Sequence, residues 1–164
     1  MNALTLYDDF HVQTDTLEEQ KQAYVVFKVG GELYAISMQN VKEVIFYCDP
    51  VLVPYSPEYV MGLINIRGSL IPIVDLKNIF RLTSDDDAIA KQIVVVKHGK
   101  VLVGFAVDSM CSSEEFCSKD VQENDEIFKE KLSEFIFGQI QYGKDVVGIL
   151  NISKMIEETR IKKN

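Results

Sequence analysis

The chain has 164 residues, 47% hydrophobic and 26% charged, a globular balance sized for one domain or two small ones, and no apolar run reaches the ~18 residues of a membrane span. Its 17 basic and 25 acidic residues give a formal charge of −8, which repels phosphate backbones and anionic lipid and argues against nucleic acid as a partner. Three cysteines (Cys48, Cys111, Cys117) without a CxxC pair argue against a disulfide framework or a structural zinc site.

Residues 1–22 hold five acids and one base, with few large apolar residues after Val12. They read as a mobile lead-in. The start lacks the basic and apolar regions of a signal peptide, so a cytoplasmic location is expected. Tyr24-Val25-Val26-Phe27-Lys28-Val29, a Gly30-Gly31 turn and Glu32-Leu33-Tyr34-Ala35-Ile36 then predict a β-hairpin. Ser37 is placed to cap a turn at Met38–Val41, and Ser56-Pro57-Glu58 has the order of a helix start. Arg67-Gly68-Ser69 joins two further β runs, and Pro72 in the second demotes it to an edge strand or a bulge. Asp75 caps a short helix at Leu76–Phe80. The hairpin signal returns at Ile93–Val96, His98-Gly99-Lys100 and Val101–Val107, and again around Gly143-Lys144-Asp145. Glu126–Phe135 is a candidate helix, and Asn151 caps a C-terminal helix, with 157–164 as a tail or the end of that helix.

Two offsets relate the halves. A shift of 76 lays Tyr59–Ile64 on Phe135–Ile140 and Asp75 on Asn151, and a shift of 69 lays Val25–Gly30 on Val94–Gly99. Matched glycines and caps point to internal duplication. The expected fold is therefore mainly β: two similar small five-stranded β-barrels packed together, with short helices and a C-terminal helix. The first repeat covers roughly 23–84 and the second roughly 91–156, with room for strands to be exchanged between the barrels.

Chemistry is sparse. Two histidines, His11 and His98, leave little from which to build an imidazole acid–base, and no GxSxG, P-loop or HExxH pattern occurs. Asp85-Asp86-Asp87 reads as a solvated loop rather than a metal site. No enzyme, cofactor or metal is expected. Charge is uneven: residues 23–84 balance five acids against five bases, whereas 108–134 carry nine acids and three bases. The neutral block is the expected docking surface. Within it Glu43 and Arg67 stand amid apolar neighbours, either as a surface pair of little energetic value or as a groove pair that offers donors to a partner.

At these residues the chain resembles the CheW family of bacterial chemotaxis. The resemblance runs from Tyr24 to Ile156, and its specific part is Asn65-Ile66-Arg67-Gly68 followed by Ile71-Pro72-Ile73-Val74-Asp75-Leu76. It implies a non-enzymatic adaptor that links the cytoplasmic tips of methyl-accepting chemoreceptors to the regulatory domain of the histidine kinase CheA, recruited to membrane-associated arrays without inserting into the membrane. A regulatory module of the same type serving another kinase or motility system is the alternative. By position, Val41, Glu43, Asn65 and Arg67 match the family's receptor groove, and Gly62 and Gly68 match glycines that shape it. Ala35 stands where the family often has glycine, and Cys111–Glu115 is more polar than the family pattern.

Overall fold

The structure, a computed structural model, describes residues 20–82, 89–109, 111–123 and 133–161. Ten strands carry it: β1 (Lys21–Val29), β2 (Glu32–Ser37), β3 (Val41–Phe46), β4 (Val60–Ile66), β5 (Ser69–Asp75), β6 (Gln92–His98), β7 (Val101–Val107), β8 (Ser112–Cys117), β9 (Ile136–Tyr142) and β10 (Asp145–Leu150). Two α-helices follow the fifth and tenth strands, α1 (Leu76–Phe80) and α2 (Ile152–Ile161). The fold is mainly β, with few helices, as expected.

Sheet 1 runs β8-β1-β2-β10-β9 and sheet 2 runs β3-β6-β7-β5-β4. Advancing each number in sheet 2 by five, and wrapping past ten, turns its order into that of sheet 1. Neither sheet is built from one half of the chain; each takes strands from both. The registers agree as well. Ile73 pairs with Gly104 where β5 meets β7, and Ile149 pairs with Ala35 where β10 meets β2, both in parallel. The shifts of 76 and 69 convert one pair into the other. The two parallel contacts come from the strand exchange, since a two-residue hairpin can only make antiparallel neighbours.

Packing explains why some strands read as unbroken apolar runs. Val25, Phe27 and Val29 of β1 join Val94 and Val96 of β6 and Val103, Phe105 and Val107 of β7 in one core shared between the sheets. The alternate residues turn the other way: Tyr24 and Val26 enter a second core with Ile140, Val147 and Ile149, and Ile93 and Val95 enter a third with Ile64, Ile71 and Ile73. Strands buried on both faces need apolar residues at both parities. The third core also receives Ile45 from β3 and Ile66 from β4, the two outer strands of sheet 2, so that sheet curls until its edges pack together.

The paired glycines have a steric cause. A passing segment forms a single bridge to each outer strand, Val51 to Leu63 on β4 and Gln122 to Gln139 on β9. A Cβ on Gly62 would lie 2.3 Å from the Val51 carbonyl oxygen, and one on Gly138 would lie 2.8 Å from Val121 Cγ1. The caps are also matched. Asp75 accepts from the Lys77 N–H at 2.9 Å, and Asn151 from the Lys154 N–H at 3.2 Å.

Several local expectations are corrected. Ser37 precedes a 3-10 turn at Met38–Asn40 but does not cap it; its hydroxyl accepts from Gln22 Nε2 at 2.8 Å. Ser56-Pro57-Glu58 starts no helix, and Ser56 donates instead to the Val53 carbonyl at 2.8 Å. Strand β5, which carries Pro72, lies inside sheet 2 rather than at its edge, while the expected irregularity is present beside it, on β4 between Val60 and Gly62. Proline is tolerated there because Leu63, opposite Pro72, sends its own N–H and carbonyl to Val51 on its far side. The Leu63–Pro72 pair is thus non-hydrogen-bonded, and Pro72 faces the side where pairing to β7 begins only at Ile73. The polar Ser112–Cys117 stretch is outer strand β8, held by six residue pairs to β1. The lead-in through residue 19, the Asp85–Asp87 run, His11 and most of the 126–135 segment lie outside the described residues.

Candidate protein-docking site

The charged pair forms at the seam of sheet 2. Glu43 stands on β3 beside an irregularity in its pairing with β6, between Val41 and Glu43, which re-aims a side chain relative to simple alternation. Arg67 and Gly68 are the two turn residues of the β4–β5 hairpin, with φ of 49° and 84°. Both central residues are left-handed, as a tight hairpin turn matching the strand twist requires. Glycine adopts this freely, whereas arginine does so at a cost of about 1 kcal/mol. Asn65 Oδ1 accepts from the Gly68 N–H at 2.9 Å and pins the turn. Arg67 Nη2 then donates to Glu43 Oε1, joining the two outer strands of the sheet.

Glu43 and Arg67 differ sharply in exposure: the Glu43 side chain keeps 23% of its surface and that of Arg67 72%. Of the other expected residues, Val41 is half-buried against the shared core. Gly62 lies farther along β4, beneath Val51. A Cβ on Gly68 would meet open space, so only the backbone angle calls for glycine there. The structure therefore gathers Glu43, Asn65, Arg67 and Gly68 at one hairpin tip, with Val41 and Gly62 set apart from it.

A set of exposed apolar residues escaped sequence reading. Phe46 on β3, Val51, Leu52 and Tyr55 in the β3–β4 connection and Leu70 on β5 keep between 67% and 106% of their surface. The signal was present in Pro50-Val51-Leu52-Val53-Pro54-Tyr55, an apolar run bracketed by prolines and so unfit for a central strand. Large exposed apolar patches on a folded domain mark interaction surfaces.

Sheet 1 makes its seam differently. Tyr142, the last residue of β9, donates to Glu114 Oε1 on β8 at 2.8 Å, and its ring meets Phe116 edge-on at 6.0 Å. The hydrogen bond to the carboxylate raises the Tyr142 pKa above its ordinary value. Burial pushes the Cys111 thiol up to about 11, which keeps it protonated and unreactive at neutral pH. Among the described residues no group of three or more His, Cys, Asp or Glu is arranged to hold a metal ion. No helix among them is long and apolar enough to cross a membrane. A cleft of about 820 Å³ between α1 and α2 mixes Glu58, Glu134 and Glu158 with Lys77 and Arg81 over Tyr59 and Phe135.

Interlocked sheets with exposed apolar side chains and a charged hairpin tip have the character of a protein-binding module. The CheW-like domain model matches residues 23–160, and the chain belongs to that family. It is 29% identical over 152 residues to the chemotaxis protein CheW of Treponema pallidum, covering 89% of this chain and 88% of the relative. A stretch of 137 residues is 28% identical to part of the chemotaxis protein CheA of Borreliella burgdorferi, covering 81% of this chain and 15% of that protein. Among solved structures, the scaffolding protein TtCheW from Thermoanaerobacter tengcongensis shares the fold with a TM-score of 0.72. That match is 23% identical and covers 81% of this chain and 86% of the other.

Proposed function

We infer that the chain is a non-enzymatic scaffold of bacterial chemotaxis, coupling the cytoplasmic tips of chemoreceptors to the histidine kinase CheA. The observation that carries this reading is the CheW-like match over nearly the whole chain, residues 23–160. The work is done in the cytoplasm, at receptor arrays to which the scaffold is recruited. Val41, Glu43, Asn65 and Arg67 serve the receptor site, and Gly62 and Gly68 hold the strand and turn that present it. An adaptor needs rigid geometry rather than reacting groups. The shared core supplies this by tying both sheets into one body, while helical receptor tips can lay an apolar face against a groove.

The test is retention of purified partners on the immobilised chain. The kinase's regulatory domain and a receptor cytoplasmic fragment should each be retained, separately and together. Retention of a different kinase with neither of these would assign the chain to another signalling system. Loss of both interactions by the intact, folded chain would overturn the scaffold reading.

A further inference from the structure

The first nineteen residues divide by chemistry. Leu4, Leu6, Tyr7, Phe10 and Val12 fall within the first twelve, interrupted by Asp8 and Asp9. The stretch from Gln13 to Glu19 holds a single large apolar residue, Leu17. Segments that stay in water without a partner are poor in leucines and aromatics, so the pattern is that of an apolar, acidic head on a polar tether. No Lys or Arg occurs before Lys21, while Asp8, Asp9, Asp15, Glu18 and Glu19 give the segment five negative charges.

The described chain shows where that tether is rooted. The Gln20 carbonyl accepts from the Ser118 N–H at 3.0 Å, and Gln22 Nε2 donates to the Ser37 hydroxyl at 2.8 Å. From Ser37 the 3-10 turn at Met38–Asn40 leads directly into β3. Six residues separate Ser37 from Glu43, at most about 22 Å of chain, and the seven tether residues span up to about 25 Å. The head therefore reaches the Glu43–Arg67 end of sheet 2. Charge selects between the two sheets. Around the root on sheet 1, Glu114, Glu115, Asp120 and Glu123 outnumber Lys21 and Lys119, which disfavours an acidic segment. At the sheet 2 end the exposed Lys42 and Arg67 outnumber Glu43, and Met38 and Leu70 keep 36% and 67% of their surface.

We propose that residues 4–12 of this chain fold back onto that end of sheet 2, setting Asp8 and Asp9 against Lys42 and Arg67 and their apolar neighbours over Met38 and Leu70. There the head covers the receptor site and yields it when a receptor tip competes. That consequence rests on the scaffold reading; the docking itself does not. Tethering raises the local concentration of the head to the millimolar range. A contact too weak to hold between separate molecules is then populated within one. Receptor affinity falls in proportion to the fraction of chains left open.

The experiment uses the full chain and two double variants of the head, Asp8→Asn with Asp9→Asn and Leu6→Ser with Phe10→Ser. Backbone amide resonances are compared with those of the wild type in dilute solution without partners. Affinity for a purified receptor cytoplasmic fragment is measured next. Both variants should shift the signals of Met38, Lys42, Arg67 and Leu70 and leave those of Phe137 and Gln141 on sheet 1 in place. Both should bind the receptor fragment about threefold or more tightly than the wild type. The apolar pair leaves the net charge unchanged, so a gain there is not general electrostatics. Signals that stay in place, or that move on sheet 1 instead, would overturn the proposal. So would shifts that vanish on dilution, which mean docking onto a second copy, and so would wild-type receptor affinity in both variants. Failure of the wild-type chain to bind receptor or kinase domain would bring down the scaffold reading and the gating with it, while the resonance shifts would still decide whether the head docks.

Discussion

Sheets 1 and 2 share strand order, register, crossing glycines and caps, yet they present different surfaces. Phe46 and Leu70 are exposed on sheet 2, with Val51, Leu52 and Tyr55 on its β3–β4 connection, whereas sheet 1 exposes Phe137 on β9. At the position equivalent to Val51 sheet 1 has Gln122, followed by Glu123. The frame that holds the sheets together is common to both, and the differences lie where a partner could reach them. A duplicated frame with unequal faces suits a protein that must hold unlike partners at once.

Damage to the shared core should affect the sheets alike. Phe105→Ala empties a fully buried position in that core and should cost about 3–5 kcal/mol. Urea unfolding should stay a single transition, and hydrogen exchange should rise in β1 and β2 as much as in β6 and β7. Protection lost from sheet 2 alone would show that the sheets are separable units.

The crossings should be unequal. Gly62→Ala drives a Cβ into backbone at 2.3 Å with φ at 144°, whereas Gly138→Ala meets a valine methyl and a carbonyl oxygen at 2.8 and 2.9 Å without a positive φ. The first should cost roughly 2–4 kcal/mol and the second about half as much, judged by the urea midpoint. Equal costs would mean that the tighter approach at Gly62 relaxes without penalty.

The caps come next. Asp75→Ala and Asn151→Ala should each lose about 1 kcal/mol, with the shorter Asp75 bond the costlier to remove. At the seams the expected losses are smaller still. Because Arg67 is 72% exposed, solvent screens its pairing with Glu43, and Glu43→Gln should cost under about 1 kcal/mol.

A further effect is a slope in alkaline solution. Cys111 titrates at about 11 when folded, against 9.0 ordinarily, because burial disfavours the thiolate. Between those values the folded state holds a proton that the unfolded state has lost, so stability falls as pH rises through that window. Cys111→Ala should flatten the fall, as read from urea midpoints at several pH values.

Most of the frame was legible because local chemistry wrote it. Glycines marked the hairpin turns, Asp75 and Asn151 marked the helix starts, and the 76-residue shift carries β4 onto β9 without a gap. Strand exchange is harder to read, since period-two alternation says which face is buried and nothing about which strand lies alongside. Strand β8 was missed because Ser112–Glu115 carries no apolar alternation; pairing with β1 supplies what its own residues do not. Ser56-Pro57-Glu58 misled for a related reason. Its cap order is local, but the chain there is committed to running back into β4. At the site, the charged residues were readable as charges amid apolar neighbours. The exposed apolar residues were not, because burial of an apolar run is decided by what folds over it.

The scaffold account is tested most directly by sedimenting kinase with receptor-bearing vesicles, with and without this chain at stoichiometric concentration. Kinase should enter the pellet in proportion to the chain added, and Arg67→Gln should reduce that recruitment. A pellet that holds the same amount of kinase whether or not the wild-type chain is present would contradict it.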